Sequence, residues 1–220
     1  MSNARSISTR TAVVGGGLAV ASAAALAAYH WGLRPWYQHW GATLEEAAVR
    51  LPGDELVPTP IFVRTKAITI QAPVEKVWPW LLQLGQNKAG LYSYEFIENR
   101  LLGCDIHHSD RIVPEWQTTL VGDEVRLFPA DKQGPPPYIV ATIEPNHALV
   151  MGHKDEKGEW FDTWQFVLTP VDGGRTRLIH RVRGGSMGVW DVLQFGYFVM
   201  ERAMVLGIKE RAENLKLSKN

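Results

Sequence analysis

The sequence predicts an α+β domain in which a curved antiparallel β-sheet wraps around a long C-terminal helix, preceded by an N-terminal membrane helix. Three observations lead to this prediction: a series of short strand patterns separated by turn residues, one long helical pattern near the end of the chain, and an uncharged apolar segment near its start. Short strands with tight connections favour antiparallel pairing, because parallel strands need crossover helices between them.

The predicted elements follow one another in a simple order. Strands are expected at residues 62–72, 124–128, 138–144, 148–153, 161–169 and 176–183, and helices at 74–84, 93–102 and 189–215. Pro79 should kink the first helix or split it, and Ser93 should cap the second. A twisted sheet curls, and only the apolar first half of the last helix is long enough to close its concave side.

The apolar segment covers residues 11–29, nineteen residues without a charge, against about 20 needed to cross a bilayer as a helix. Arg5 and Arg10 precede it, and an aromatic and basic cluster follows at residues 30–37. We therefore expect an anchor at residues 1–30 and a single-pass membrane protein. Residues 31–60 are expected to be a linker with a short helix capped by Thr43, and residues 61–217 the ligand-binding domain.

Two other interpretations of the apolar segment stay open. Ala25-Leu26-Ala27 before Ala28 has the small-x-small form of a signal-peptide cleavage site, so the domain would then be secreted. The segment could also be a buried core helix. The side of the membrane is not fixed, although two arginines before the segment favour a cytoplasmic N-terminus.

Composition excludes several function classes. The 220 residues contain 23 Lys+Arg and 23 Asp+Glu, and no basic stretch is long enough to follow a phosphate backbone, so no nucleic acid is expected as a partner. The single cysteine, Cys104, excludes an internal disulfide and a cysteine-pair metal site, and it is more typical of a buried residue than of a nucleophile. We expect no cofactor and no metal.

One junction resembles a known superfamily. Residues 72–81, Ala-Pro-Val-Glu-Lys-Val-Trp-Pro-Trp-Leu, resemble the first strand-to-helix junction of the START-like, or helix-grip, superfamily (SRPBCC), which includes lipid-transfer domains and the polyketide cyclase/dehydrase family. Residues 90–99 and 105–115 resemble a largely uncharacterised bacterial branch of it. The resemblance covers residues 62–215. It implies the helix-grip fold and an apolar pocket, and it carries over no catalytic residue.

The polar residues between 93 and 111 are candidates for a functional site. Residues 105–111 are the densest polar cluster, which we interpret as a structured loop with Asp110 paired to Arg111 or capping a turn. A pocket-rim role for Asp105 or His107 and a metal site are alternatives, the latter disfavoured because adjacent histidines point apart. Glu95 and Glu98 share one helical face, which favours a solvated face over acid–base chemistry. Residues 184–188 are interpreted as a hinge at the cavity mouth.

The ligand-binding candidates are aromatic or histidine side chains expected to face one internal cavity. They are Trp80, Tyr92, Tyr94, His107, Trp164, Phe166, His180, Trp190, Phe195 and Phe198. The function they predict is binding of a hydrophobic small molecule or lipid at a membrane. The alternatives are a polyketide cyclase- or dehydratase-like enzyme using polar residues of the same cavity, and an interaction module whose interior is filled by side chains.

Overall fold

A single antiparallel sheet forms the centre of the fold. The computed structural model describes residues 21–185 and 194–214. Within them the strand order is β1-β6-β5-β4-β3-β2, so the first and last strands of the sequence are neighbours. The strands are β1 Phe62–Ile70, β2 Glu124–Val125, β3 Tyr138–Glu144, β4 Ala148–Gly152, β5 Asp162–Val171 and β6 Arg175–Gly184. The predicted curved antiparallel sheet with a C-terminal helix is confirmed.

Strand lengths differ from the prediction where turn residues decide them. Strand β2 stops at Val125 instead of continuing to residue 128, and four prolines follow it before β3. The hairpin of β5 and β6 is longer than predicted and turns through Gly173 and Gly174. The connection has three residues, Asp172, Gly173 and Gly174, and both glycines have positive φ, 77° and 68°, which glycine adopts without steric cost.

After Gln38, the described residues form three α-helices: α1 Leu44–Ala48, α2 Val74–Leu82 and α3 Gln194–Asn214. Thr43 caps α1, because its hydroxyl accepts from the Glu46 amide while the Glu46 carboxylate accepts from the Thr43 amide. Helix α2 runs through Pro79 as one element, so the predicted split is wrong. Residues 189–193 and 215 of the predicted last helix lie outside the described residues.

The predicted second helix, 93–102, takes a different form. It is a π-helix at Phe96–Leu101, and Ser93 does not cap it. The Ser93 hydroxyl instead donates to the Glu98 carboxylate, which is buried. Sequence periodicity cannot distinguish a π-turn from an α-turn over six residues, since both place similar side chains on one side.

The core lies between the sheet and two helices. Helix α3 packs against β1 and α2, and α2 packs against β5 and β6. We call the sheet face that they cover the inner face. The opposite, outer face is covered by residues that precede β1: Leu51 packs there with Ala67 and Ile179, and Asp54 is buried.

The chain divides between Gln38 and His39 into two units. In the first, residues 21–28 are helical and are followed by a π-helix at Tyr29–Leu33 and a short α-helix at Arg34–Gln38. The predicted localisation, a single-pass N-terminal anchor, is contradicted: in the part of the chain that the structure describes, no helix is long and apolar enough to cross a membrane. Residues 11–20 of the predicted span lie outside that part.

Candidate ligand-binding site

Alternation along the strands brings charged and aromatic side chains to the inner face. On β1, Arg64 and Lys66 lie on the same side as the core residue Ile68. Lys66 is directly opposite His180 on β6, and His180 is directly opposite Phe166 on β5. Three neighbouring strands therefore present a lysine, a histidine and a phenylalanine side by side.

Helix α3 adds a carboxylate to this group. Glu201 Oε2 lies 2.5 Å from Lys66 Nζ, and Glu201 Oε1 lies 3.4 Å from Arg64 Nη2. We call Arg64, Lys66, His180 and Glu201 the inner cluster. The side chains of Lys66 and Arg64 are 0% and 9% exposed and that of Glu201 is 13% exposed, so water screens these charges weakly.

Burial and pairing act on the two main partners in opposite ways. Burial alone would raise the pKa of Glu201, but the charges of Lys66 and Arg64 lower it to about 2. Burial lowers the pKa of Lys66, and the charge of Glu201 opposes this shift. We regard the pair as ionised at neutral pH, because the short contact stabilises both charges together.

His180 is held as a neutral ring. It is fully buried, and burial lowers its pKa to about 3. Trp164 Nε1 donates a hydrogen bond to His180 Nε2, so the ring proton of the neutral form is on Nδ1. His180 Nδ1 is buried and has no hydrogen-bond partner among the described residues. The ring therefore presents an N–H donor that residues 21–185 and 194–214 leave without an acceptor.

Two further buried N–H donors of the same unit, Arg64 Nε and Trp80 Nε1, are unpaired within the described residues, as is the ring nitrogen His39 Nδ1. Arg64 Cζ lies 5.0 Å from the ring centroid of Phe62 and 5.9 Å from that of Tyr197. Trp80 belongs to the same core cluster as Trp164. Buried N–H groups are nearly always paired in native structures, so three unpaired donors in one core require an explanation.

Aromatic rings form the surroundings of His180. The rings of Trp164 and Phe166 lie 5.2 Å apart, and Phe166 lies 5.1 Å from His180. Tyr138 continues the group, at 4.9 Å from Trp164 and 4.0 Å from His153. This arrangement combines a polar centre with an apolar wall, as small-molecule sites do.

His153 is held by hydrogen-bonding partners on both ring nitrogens, and Tyr138 packs against its ring. Asp162 accepts from His153 Nδ1 at 2.8 Å, and the Pro136 carbonyl oxygen lies 3.1 Å from His153 Nε2. Desolvation raises the pKa of Tyr138, and the charges of Asp162 and Glu201 raise it further. Tyr138 therefore stays protonated at neutral pH.

The structure separates the ten predicted site residues into groups. Six are buried in the unit: Trp80, Tyr92, Trp164, Phe166, His180 and Phe198. Three are exposed, contrary to the prediction that they face a cavity: Tyr94 at 45%, Phe195 at 46% and the His107 side chain at 82%. Trp190 lies outside the described residues, as do residues 186–188 of the predicted hinge.

The polar segment 105–111 proves to be a structured loop, but with other partners. Asp110 pairs with Arg211 of α3 at 2.7 Å and not with Arg111. His108 turns inward to Glu98, while His107 points to solvent. No group of three or more metal-binding side chains occurs among residues 21–185 and 194–214.

Glu98 contradicts the prediction of a solvated face. It is 1% exposed, with His108 Nε2 at 3.0 Å and the Ser93 hydroxyl donating to it. Glu98 on the π-helix thus contacts the polar segment itself through His108, and Glu95 accepts from the His108 amide at 2.7 Å. All these partners are local, so the pair stabilises the loop.

Sequence reasoning missed the residues that accompany His180. Arg64 and Lys66 share the strand face of Ile68 and Ile70, and that alternation is the signal that could have identified them. Glu201 is an isolated carboxylate among apolar helix residues. Its partners lie more than 130 positions away, so nothing local indicates them.

Comparisons with known proteins give distant matches of structure. Neither protein-family models nor curated proteins match the chain. A protein from Mesorhizobium loti is similar at 21% identity and a TM-score of 0.37, over 70% of this chain and 100% of its own. The Aha1 dimer from Colwellia psychrerythraea is similar at 17% identity and a TM-score of 0.46, over 70% of this chain and 98% of its own. A Polyketide_cyc-like protein from Corynebacterium glutamicum is similar at 14% identity and a TM-score of 0.35, over 68% of this chain and 86% of its own.

The strand order and the C-terminal helix of this chain agree with the helix-grip fold that residues 72–81 led us to expect. The similarity to the solved structures is distant, and the fold assignment rests on this chain's own strand order and C-terminal helix. Function has to be argued from its own side chains.

Proposed function

We propose that the space between the inner face of the sheet and helices α2 and α3 binds a small, largely apolar organic molecule that carries a hydrogen-bond acceptor. The observation that carries this proposal is the buried Nδ1 of His180, which lies among aromatic rings and has no hydrogen-bond partner in the described part of the chain. Leaving a buried donor unpaired costs about 1–3 kcal/mol. A ligand oxygen placed against it would recover that free energy.

Apolar contact supplies the main part of the binding energy in this proposal. Trp164, Phe166 and Met151 are buried members of the same core cluster. Burial of apolar surface contributes about 25 cal/mol per Å², so a two-ring aromatic or a medium acyl chain gives enough surface for micromolar affinity. A lipid chain and a polycyclic aromatic both satisfy this requirement.

The proposal is tested with 2-acetonaphthone, a two-ring ketone, by calorimetric titration of the full chain. We expect saturable binding of one molecule per chain. His180→Phe keeps the ring shape but removes the donor and should weaken binding about tenfold. His180→Gln offers both an acceptor for Trp164 and a donor for the ketone, so it should retain most of the affinity.

His147→Phe is the matched control, because His147 lies in an exposed turn beside Glu144. It should bind the ketone as the wild type does. The proposal fails if neither 2-acetonaphthone nor dodecanoate binds saturably, or if His180→Phe binds the ketone as tightly as the unaltered chain.

A second candidate is a cyclase- or dehydratase-like enzyme using the same residues. The Trp164–His180 hydrogen bond favours it, because it fixes the tautomer whose Nδ1–H can polarise a carbonyl group while the ring stays neutral. Exchange of the methyl protons of 2-acetonaphthone in deuterated water separates the two functions. An enzyme accelerates this exchange and loses the effect in His180→Phe, whereas a binding protein leaves it at the rate of free ketone.

A further inference from the structure

The inner cluster has more positive than negative charge. Arg64 and Lys66 are two cations, Glu201 is one carboxylate, and His180 is neutral at physiological pH. Among the described residues, Glu201 is the acidic group whose charge acts on Lys66. Within the described residues the ion pairs of Arg64 and Lys66 both go to Glu201, so two cations share one carboxylate.

A buried positive charge without its own counter-charge raises the free energy of the folded protein when water screens it weakly. An anion that binds beside it lowers this cost. Asp162 contacts His153 Nδ1 with both of its oxygens, at 2.8 and 3.0 Å, whereas the ion pairs of Arg64 and Lys66 within the described residues go to Glu201. The site thus combines an excess charge with two unpaired donors, Arg64 Nε and His180 Nδ1.

We propose that the inner cluster recognises the carboxylate of an amphipathic monocarboxylic acid, with Arg64 and His180 donating to its oxygens and the apolar body lying against Trp164 and Phe166. This inference rests on the proposed function. A single negative charge matches the single excess positive charge, whereas a dianionic phosphate would leave a net negative charge buried. Carboxylates accept several N–H donors at once, and arginine is well suited to binding them.

The positions of the side chains agree with a head group that enters past Arg64. Arg64 and Glu201 keep a small exposed fraction, while Lys66 and His180 have none. Phe62 and Tyr197 flank the guanidinium group on this more open side. The apolar rings of Trp164 and Phe166 lie on the next strand but one from Arg64.

The test compares 2-naphthoate with 2-naphthamide, which has the same shape and no charge, by calorimetric titration of the full chain at neutral pH. We expect the acid to bind at least about tenfold more tightly than the amide. Arg64→Met should bring the two affinities close together. Glu201→Gln should widen the preference for the acid, because it increases the excess positive charge. A purely structural role of these residues predicts no such increase.

Arg126→Met serves as the control, since Arg126 pairs with Glu124 on β2, at the other edge of the sheet. It should leave both affinities unchanged. Equal binding of acid and amide by the unaltered chain overturns the carboxylate inference and leaves the proposed function standing. Failure of both compounds and of 2-acetonaphthone to bind overturns the proposed function as well.

Discussion

The two faces of the sheet each bury an arginine in an ionic network, and they differ in how many of its guanidinium nitrogens have partners in the described residues. On the outer face, Arg181 is 1% exposed and uses all three of its guanidinium nitrogens: Nε donates to Thr65, Nη1 to Asp54 and the Val49 carbonyl, and Nη2 to the carbonyls of Glu46 and Ala47. On the inner face, Arg64 Nε has no hydrogen-bond partner among the residues that the structure describes.

Carbonyl oxygens account for the difference. The end of α1 directs three of them at Arg181, and Arg183 donates to a fourth, at Val57, besides pairing with Asp54. Partial negative charges at a helix C-terminus stabilise a cation. The outer network leaves one buried acceptor unpaired in the described residues, Gln165 Oε1. A network completed by the protein stabilises the fold, whereas one that lacks partners is suited to binding a ligand.

The largest effect is expected on the outer face. Asp54→Ala removes the carboxylate that pairs with Arg181 at 2.7 Å and leaves the guanidinium buried. Breaking a buried pair in this way lowers the free energy of unfolding by about 3–5 kcal/mol. Denaturant unfolding followed by circular dichroism measures the change. Asp110→Ala, which breaks an exposed pair with Arg211, should lower it by less than about 1 kcal/mol.

A smaller effect is expected on acidification, and it originates on the inner face. His180 takes up a proton below about pH 6.5 in the unfolded chain but only near pH 3 in the native protein. The unfolded state therefore binds more protons between these values, and the free energy of unfolding falls as the pH falls. From about pH 7 to about pH 5 the loss due to His180 is about 2 kcal/mol.

Unfolding experiments between about pH 7 and about pH 5 check that the free energy of unfolding falls with the pH and that His180 causes the fall. The His180→Phe variant should lose less stability than the unaltered chain, while His147→Phe should follow the unaltered chain. Glu201 adds to the acid sensitivity only below its unfolded value near 4.5, because its native pKa is about 2. An unchanged pH slope in His180→Phe would show that the ring is not buried in neutral form.

The smallest effect on the free energy of unfolding is expected from replacing the Lys66–Glu201 ion pair of the inner cluster. Replacing Lys66 and Glu201 together by methionine removes both members of the inner pair. Well-packed apolar replacements of buried ion pairs are often neutral or stabilising, so the free energy of unfolding should change by no more than about 1 kcal/mol. The same double replacement of Arg181 and Asp54 should remain destabilising, because the carbonyls at the end of α1 lose their donors.

The sequence predicted the framework well because the framework is local. The β5–β6 hairpin follows from alternation on both sides of Asp172-Gly173-Gly174, and Thr43 is identified as a cap by Glu46 three positions later. His180, Trp164 and Phe166 were predicted to share a space, and the structure places their rings in contact.

The rest depended on long-range contacts. Tyr94, Phe195 and His107 are aromatic or polar like the buried candidates, and only the chain path makes them exposed. Residues 31–60 were expected to be a linker, yet Asp54 within them contacts Arg181, 127 positions later. The periodicity of side chains along the sequence does not indicate which distant residues pair with each other.

The central claim is that His180 is a neutral donor reserved for a ligand. Nitrogen NMR of the histidine side chains in the full chain tests it directly, with and without saturating 2-naphthoate. The account predicts a neutral ring with its proton on Nδ1 at neutral pH, and an Nδ1 resonance that moves on addition of the acid while that of His147 does not. A proton on Nε2, a charged ring, or an Nδ1 resonance indifferent to bound acid would contradict it.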